Sequence, residues 1–496
     1  MSGVKDVPAL VVFVAVFVLV AVLGFVAARW RRPKTLANID EWGLGGRQFG
    51  TWITWFLVGG DFYTAYTVIA VPAAVYAVGA AGFFALPYTI IVYPIVFAIM
   101  PRLWSVAARA GHVTAADVVF ARWSSRPLEL AVAITGVLAT MPYIALQLVG
   151  MGVVIKALGL PGELSLGIAF VILAVFTYAS GLRAPALIAF VKDAMIYIVV
   201  LAAVVIVPAR LGGYGHMFDT AAADFAAANK GGGLLLAPAG MLPYATLALG
   251  SAMAAFMYPH TLTGVFAAKS ANTIRKNAVL LPIYTLLLGL IALLGYMAHA
   301  AGVHVADKND AVPALFAAVF PGWFAGFAYA AIAVGALVPA AVMSIGAANL
   351  FTRNFWKAYV DPAVTPAGEA SVAKLTSLVV KVGALLVILL IPVDFALDLQ
   401  LLGGLWILQT FPAVVFGLFR IPGLRRLSGV GLFAGWVAGM ALGTVLIASD
   451  GFRPLHAITP DIKVFTGLLA LLANVVVGVA VSAFAPNRAV AVAPSR

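Results

Sequence analysis

The stretch "GGDFYTAYTVIAVP", Gly59 to Pro72, places a carboxylate, Asp61, inside an apolar run. A charged side chain at the centre of a membrane costs about 2.5–3.5 kcal/mol on insertion scales, and such residues commonly mark ion or solute pathways. Tyr63, Thr64, Tyr66 and Thr67 add four hydroxyls within two turns. Gly59 and Gly60 weaken a helix and Pro72 removes a backbone donor, so the segment suits a broken helix whose freed carbonyls can coordinate ions. The alternative reading sets Asp61 near a helix end, reaching water. A second cluster is "GSAMAAFMYPHTLTGVFAAKS", where Pro259 interrupts an apolar run and Tyr258, His260, Thr261 and Thr263 flank the break. His260 is either a ligand-binding group or a helix-to-helix hydrogen-bonding group. A third is "GALVPAAVMSIGAANLFTRN", with Pro339 as a breaker, Ser344 as a hydroxyl, and small residues that allow close helix approach. In "MPYIALQLVG", Tyr143 and Gln147 lie one turn apart; they either line a cavity or bond across helices.

The elements that must position these residues are membrane helices. Hydrophobic residues make up 64% of the 496-residue chain, charged residues 10%, and mean hydropathy is +1.08. A soluble domain carries about a quarter charged residues. Apolar runs near 20 residues, the length that crosses a bilayer, fall at 7–28, 52–76, 82–101, 128–158, 164–181, 184–208, 240–267, 278–301, 321–351, 375–396, 399–420, 430–449 and 463–484. Thirteen transmembrane helices are therefore expected, in an all-α integral membrane protein forming a single transmembrane domain over 1–496. The first run ends in Arg29, Arg31, Arg32 and Lys34 and reads as an anchor rather than a cleaved leader.

The basic residues support that count. Of the 30 Lys and Arg, 23 fall on the side facing the odd-numbered helix ends and 7 on the other. The positive-inside rule places the N-terminus outside and the C-terminus in the cytoplasm. The net charge of +12 is then a matter of topology, and nucleic acid is not an expected partner. Arg183, Lys192 and Lys381 are expected near cytoplasmic helix ends, with their heads snorkelling to water.

Cysteine is absent, which removes disulfides and thiolate metal sites. The chain carries no phosphate-cradling Gly-Lys loop and no clustered catalytic set, so no enzyme activity and no cofactor are expected. The polar stretch 209–240 reads as an external loop with at most a short helix, and 352–376 as a proline-marked cytoplasmic connection.

The three clusters in this order resemble the sodium:solute symporter family over nearly the whole chain. The resemblance rests on Asp61 with Pro72, on Gly181-Leu182-Arg183 with Lys192-Asp193, and on Pro259-His260 with Lys269. Within the family, "GGDFYTAYTVIAVPAAVY" and "TMPYIALQLVGMGVVIKALG" are most similar to bacterial monocarboxylate permeases for lactate, pyruvate, acetate and propionate. The resemblance implies a LeuT-like fold of two inverted five-helix repeats, helices 2–6 (about 45–208) and 7–11 (about 240–420), with helices 1, 12 and 13 peripheral. It implies a bacterial plasma-membrane symporter whose substrate sits between the two breaks. Asp61, Tyr63, Thr64, Tyr66, Tyr143, Gln147, Tyr258, Pro259 and His260 are the expected substrate-site residues. The family's sodium site maps onto the carbonyls of Gly59, Phe62 and Ala341, onto Ser344, and onto Ile345, which has no oxygen where the family has a second hydroxyl.

The coupling ion is thus H+ or Na+. A proton on Asp61 is the expected substitute, because an ionised Asp61 would repel an anionic substrate and protonation removes the repulsion. A sodium-coupled symporter of a zwitterion such as proline is the alternative, and a solute-gated channel or sensor a lower one. Membrane lipid is an expected partner; an accessory membrane subunit stays open.

Overall fold

In lipid no water is available to the backbone, so it must satisfy its own hydrogen bonds, and the helix is the local structure that does so. A computed structural model describes residues 6–27, 38–60, 63–228, 232–390, 396–419 and 426–485. Among them, nine helices are long and apolar enough to cross a membrane, or eleven if each of two bent pairs counts as one span. Shorter apolar helices cover Tyr66–Val78 and Leu164–Val175.

In chain order the main helices are α1 (Val7–Ala27), α2 (Thr51–Gly59), α3 (Val71–Val78), α4 (Ala85–Ala110), α5 (Arg126–Ala157), α6 (Gly162–Ser180), α7 (Arg183–Arg210), α8 (Pro238–Ala255) and α9 (Pro259–Ala267). There follow α10 (Pro282–Ala292), α11 (Gly322–Phe351), α12 (Pro366–Leu390), α13 (Ala396–Leu408), α14 (Phe411–Val415), α15 (Gly429–Ser449) and α16 (Thr466–Phe484). A two-stranded antiparallel hairpin, β1 (Leu455–Thr459) and β2 (Ile462–Phe465), joins the last two.

Helix α11 is the axis of the molecule. Its residues from Ala328 to Leu350 are all buried, and α1, α5, α7, α9 and α12 pack around it. Pro339 was expected to break it, yet the helix runs unbroken through the proline. A proline removes one donor and pushes on the carbonyl four residues earlier; neighbours on every side hold the helix together across that point. Two helix pairs bend sharply at a short break, α8 and α9 at 45° and α13 and α14 at 49°, and the chain is also interrupted between α2 and α3.

Two connections depart from expectation. The 209–240 stretch folds a 16-residue helix over Gly213–Ala228. Its alanines favour helix, and Met217, Ala221 and Phe225, spaced four apart, bury one stripe against Tyr296 and His299. His299 fixes it further, with Nδ1 2.9 Å from Asp224 and Nε2 2.8 Å from the Tyr76 carbonyl. The 352–376 stretch is helical at both ends: α11 continues as a wide π turn through Thr352–Val360 before α12 begins at Pro366.

Glycine closes the α15–α16 pair. Gly431, Gly435, Gly439 and Gly443 recur every fourth residue along α15, and a Cβ on any of them would collide with Ser482, Asn474 or Ala470 of α16 or with side chains of α13 and its C-terminal turn. Small residues at that spacing let two helix backbones touch.

Candidate functional site

The first break lies between α2 and α3. The α-helix ends at Gly59, and a π turn over Tyr66–Ala70 leads into α3. Asp61 and Phe62 lie outside the described residues. The start of the second half is capped from within: Thr64 Oγ1 accepts from Tyr66 N–H at 3.0 Å and Thr67 Oγ1 from Thr64 N–H at 2.9 Å. Gln147 Oε1, from α5, accepts from Ala65 N–H at 3.0 Å. These three side chains satisfy donors that a helix start leaves free.

On the other side of this break stands a fully buried ion pair from α7. Lys192 Nζ lies 3.0 Å from Asp193 Oδ1, and neither side chain is exposed. The same ammonium donates to the Gly60 carbonyl at 2.6 Å and to the Tyr63 carbonyl at 2.9 Å. Tyr284 Oη donates to Asp193 Oδ2 at 2.6 Å. The paired glycines explain the fit. A Cβ on Gly59 would strike the Tyr284 ring, and one on Gly60 would stand 3.0 Å from Lys192 Nζ. Tyr63 packs against Tyr284 with ring centroids 4.4 Å apart and planes tilted by 45°, and its hydroxyl lies 3.4 Å from that of Tyr197.

Lys192 was expected to snorkel. It sits nine residues into α7, too deep for its head to reach water, and the break offers its ammonium two carbonyls and a carboxylate. Lys381 is likewise fully buried, donating to the Ser377 carbonyl at 2.9 Å within α12. Arg183 is near the start of α7 and pairs with Glu41.

The second break is different in kind. α8 ends at Ala255, the chain turns through Phe256–Tyr258, and Pro259 opens α9 at a position where its missing N–H costs nothing. A cavity of about 40 Å³ adjoins the turn, lined by Tyr88, Tyr143, Tyr258, His260, Thr261 and Gln400 among others. That is room for about three waters. Tyr143, Tyr258 and His260 form a ring triangle with centroids 5.2–5.4 Å apart. Tyr258 Oη donates to the Gln400 carbonyl at 3.0 Å. The His260 Nδ1 and Gln400 Oε1 atoms are buried and have no hydrogen-bond partner among the described residues. Among the described residues, no lysine or arginine lines this cavity. A smaller hollow along α9 is lined by Pro259, Thr263, Gly346 and Asn349.

The expected residues therefore divide. Tyr143, Tyr258 and His260 surround the cavity, and Tyr66 lies behind it with its ring 6.1 Å from Tyr88. Tyr63, Thr64 and Gln147 serve the first break, and Pro259 sets the second. Gln400 and Tyr88 were not anticipated, although "LDLQLLGG" carries the same signal as Asp61, polar side chains in an apolar run.

Of the positions the resemblance implied for sodium, Phe62 lies outside the described residues, and the two side chains on α11 offer little free oxygen. Ile345 packs in an apolar cluster with Leu57, Leu182, Ala186 and Val342. Ser344 Oγ donates to the Ala341 carbonyl of its own helix at 2.9 Å. The break carbonyls of Gly60 and Tyr63 are taken by Lys192.

Comparison with known proteins agrees with this architecture. Over 98% of this chain and 99% of the other, the fold matches a Na+-coupled sialic acid symporter in a substrate-bound outward-open state, with a TM-score of 0.75 at 16% identity. In sequence, the chain is 67% identical over 97% of its length, and 98% of the relative's, to a monocarboxylate transport permease protein of Rhizobium johnstonii. It is 35% identical over 86% of both chains to the uncharacterized symporter YodF of Bacillus subtilis. Residues 42–439 match the sodium:solute symporter family. The protein is a multi-pass membrane transporter rather than an enzyme, and it belongs to the sodium:solute symporter family.

Proposed function

We propose that this protein imports a small monocarboxylate of the lactate, pyruvate, acetate or propionate class across a bacterial plasma membrane, by proton symport and alternating access. Thirteen spans carry the chain, with the N-terminus outside and the C-terminus in the cytoplasm. Inverted repeats over about 45–208 and 240–420 rock around the two breaks. The observation that carries the substrate reading is the pair of unpartnered buried atoms, His260 Nδ1 and Gln400 Oε1, at a cavity sized for a few heavy atoms. Buried polar atoms are normally paired, so a solute with both donor and acceptor atoms completes this site. The Tyr143 hydroxyl and the His260 imidazole are the neutral donors for the carboxyl group, and Gln400 Oε1 accepts from a carboxyl proton or hydroxyl of the solute. The 67% identity to a monocarboxylate transport permease supports the substrate class.

A neutral cradle suits a substrate that enters with its proton. Asp61 is the proposed proton carrier, and binding of proton and anion is then mutually favourable. The test is uptake of labelled monocarboxylates, with proline as competitor, in proteoliposomes with sodium and pH gradients imposed separately. Accumulation that follows an inward proton gradient, and is lost in Asp61→Asn, supports the reading. Proline accumulation without monocarboxylate uptake refutes it.

A further inference from the structure

The α2–α3 break presents two carbonyls to one point, and that point holds Lys192. An ammonium has three donors. Here two go to the Gly60 and Tyr63 carbonyls at 2.6 and 2.9 Å, and Asp193 Oδ1 lies 3.0 Å from Nζ as its ion-pair partner. Two backbone carbonyls three residues apart and a carboxylate are also oxygens that a hard monovalent cation would take from a broken helix. The carbonyl pair lies one residue beyond the Gly59 and Phe62 pair that the resemblance implied for sodium.

We infer that Lys192 is a built-in cation: its ammonium fills the seat at the first break that a dissociable sodium ion would otherwise fill. Three independent observations bear on this. The side chain is fully buried, and it packs closely on Gly60, where a Cβ would stand 3.0 Å from Nζ. The helix across from the break supplies an isoleucine, Ile345, packed among apolar side chains, and a serine hydroxyl bonded within its own helix. The counter-charge is held in place, since Tyr284 donates to the other oxygen of Asp193 at 2.6 Å.

A tethered cation fixes the shape of the break but does not cross the membrane, so it supplies no driving force. The inference thus rests on the symport reading above and sharpens it: sodium is not the coupling ion, and Lys192→Ala opens a seat for a free one.

The experiment measures monocarboxylate uptake at fixed pH in proteoliposomes containing sodium or choline, together with the melting temperature of purified protein in the same salts. The unsubstituted protein should show less than about a twofold difference between salts in uptake and no sodium-dependent rise in melting temperature, since a ligand stabilises only what it binds. K192A should lose about tenfold or more in uptake, because two buried carbonyls lose their donor. Sodium or methylammonium, but not choline, should restore part of that loss and raise the melting temperature of the variant. Steep sodium dependence of the unsubstituted protein overturns the inference, as does a folded K192A that responds to neither small cation. If K192A does not accumulate in the membrane, the salt response of the unsubstituted protein decides alone. Absence of any monocarboxylate uptake by the unsubstituted protein would refute the substrate reading and leave the melting measurements to judge the cation seat.

Discussion

The two helix breaks use the same backbone trick to opposite ends. At the α2–α3 break the backbone is largely satisfied by protein: Thr64, Thr67 and Gln147 cap the second half, and Lys192 takes the carbonyls of Gly60 and Tyr63, while buried Tyr66 Oη and Asp193 Oδ1 have no hydrogen-bond partner among the described residues, the latter facing Lys192 only as an ion pair. At the α8–α9 break, buried atoms of His260 and Gln400 lack a partner among the described residues. The first is a joint whose backbone carbonyls are held by a charge pair; the second adjoins a cavity that, among the described residues, has no lysine or arginine in its lining. A broken membrane helix is therefore not by itself a binding site. What matters is whether the surrounding helices complete its hydrogen bonds or leave them for a solute.

Substitutions at the two breaks should separate these roles. The largest effect belongs to the charged joint. Asp193→Leu leaves the Lys192 ammonium buried without its counter-charge, and should cost about 3–5 kcal/mol of stability, read as a large fall in melting temperature. An unchanged melting curve would mean the pair is not a structural joint. Matched glycine substitutions come next. Gly59→Ala drives a methyl into the Tyr284 ring, and Gly346→Ala places one 2.8–2.9 Å from the Pro259 and His260 backbone. Each should cost about 1–3 kcal/mol by overpacking. They should differ in kind: Gly59→Ala mainly lowers thermal stability, whereas Gly346→Ala mainly raises the substrate concentration for half-maximal uptake. Identical profiles for both would erase the distinction between the breaks.

Smaller effects sharpen it. Tyr258→Phe removes the hydrogen bond to the Gln400 carbonyl. It should cost about 1 kcal/mol, near a fivefold rise in half-saturation, with no change in salt dependence. Ser344→Ala should be the mildest, at about 0.6 kcal/mol, since the hydroxyl serves its own helix; a marked change in sodium response would show instead that Ser344 is a cation ligand.

Much of this was legible in the sequence because lipid makes polarity conspicuous. Pro259 and His260 marked the second break, and a turn with α9 starting at Pro259 is what folds there. Tyr143 and Tyr258 were legible for the same reason. Lys192 was noticed but misjudged, because counting charges by loop assigns a basic residue to the nearest helix end, whereas a partner supplied by another helix can hold it inside. Gln147 shows the limit more plainly: its spacing from Tyr143 put both on one face, but only tertiary structure sends one to a cavity and the other to the Ala65 amide. Pro339 misled because a proline kinks a helix only as far as its neighbours allow, and α11 is enclosed on all sides.

The glycine rail of α15 carries a mechanical consequence. Notches repeat every four residues, about 6 Å along a helix axis, and each is filled by a residue of α16 or a neighbouring side chain. Such a surface has teeth. It resists slipping by an ångström or two, because every intermediate position drives Cβ atoms into backbone, and it would admit movement only by a whole tooth. The last two helices thus form a clamped plate, locked tooth by tooth against each other.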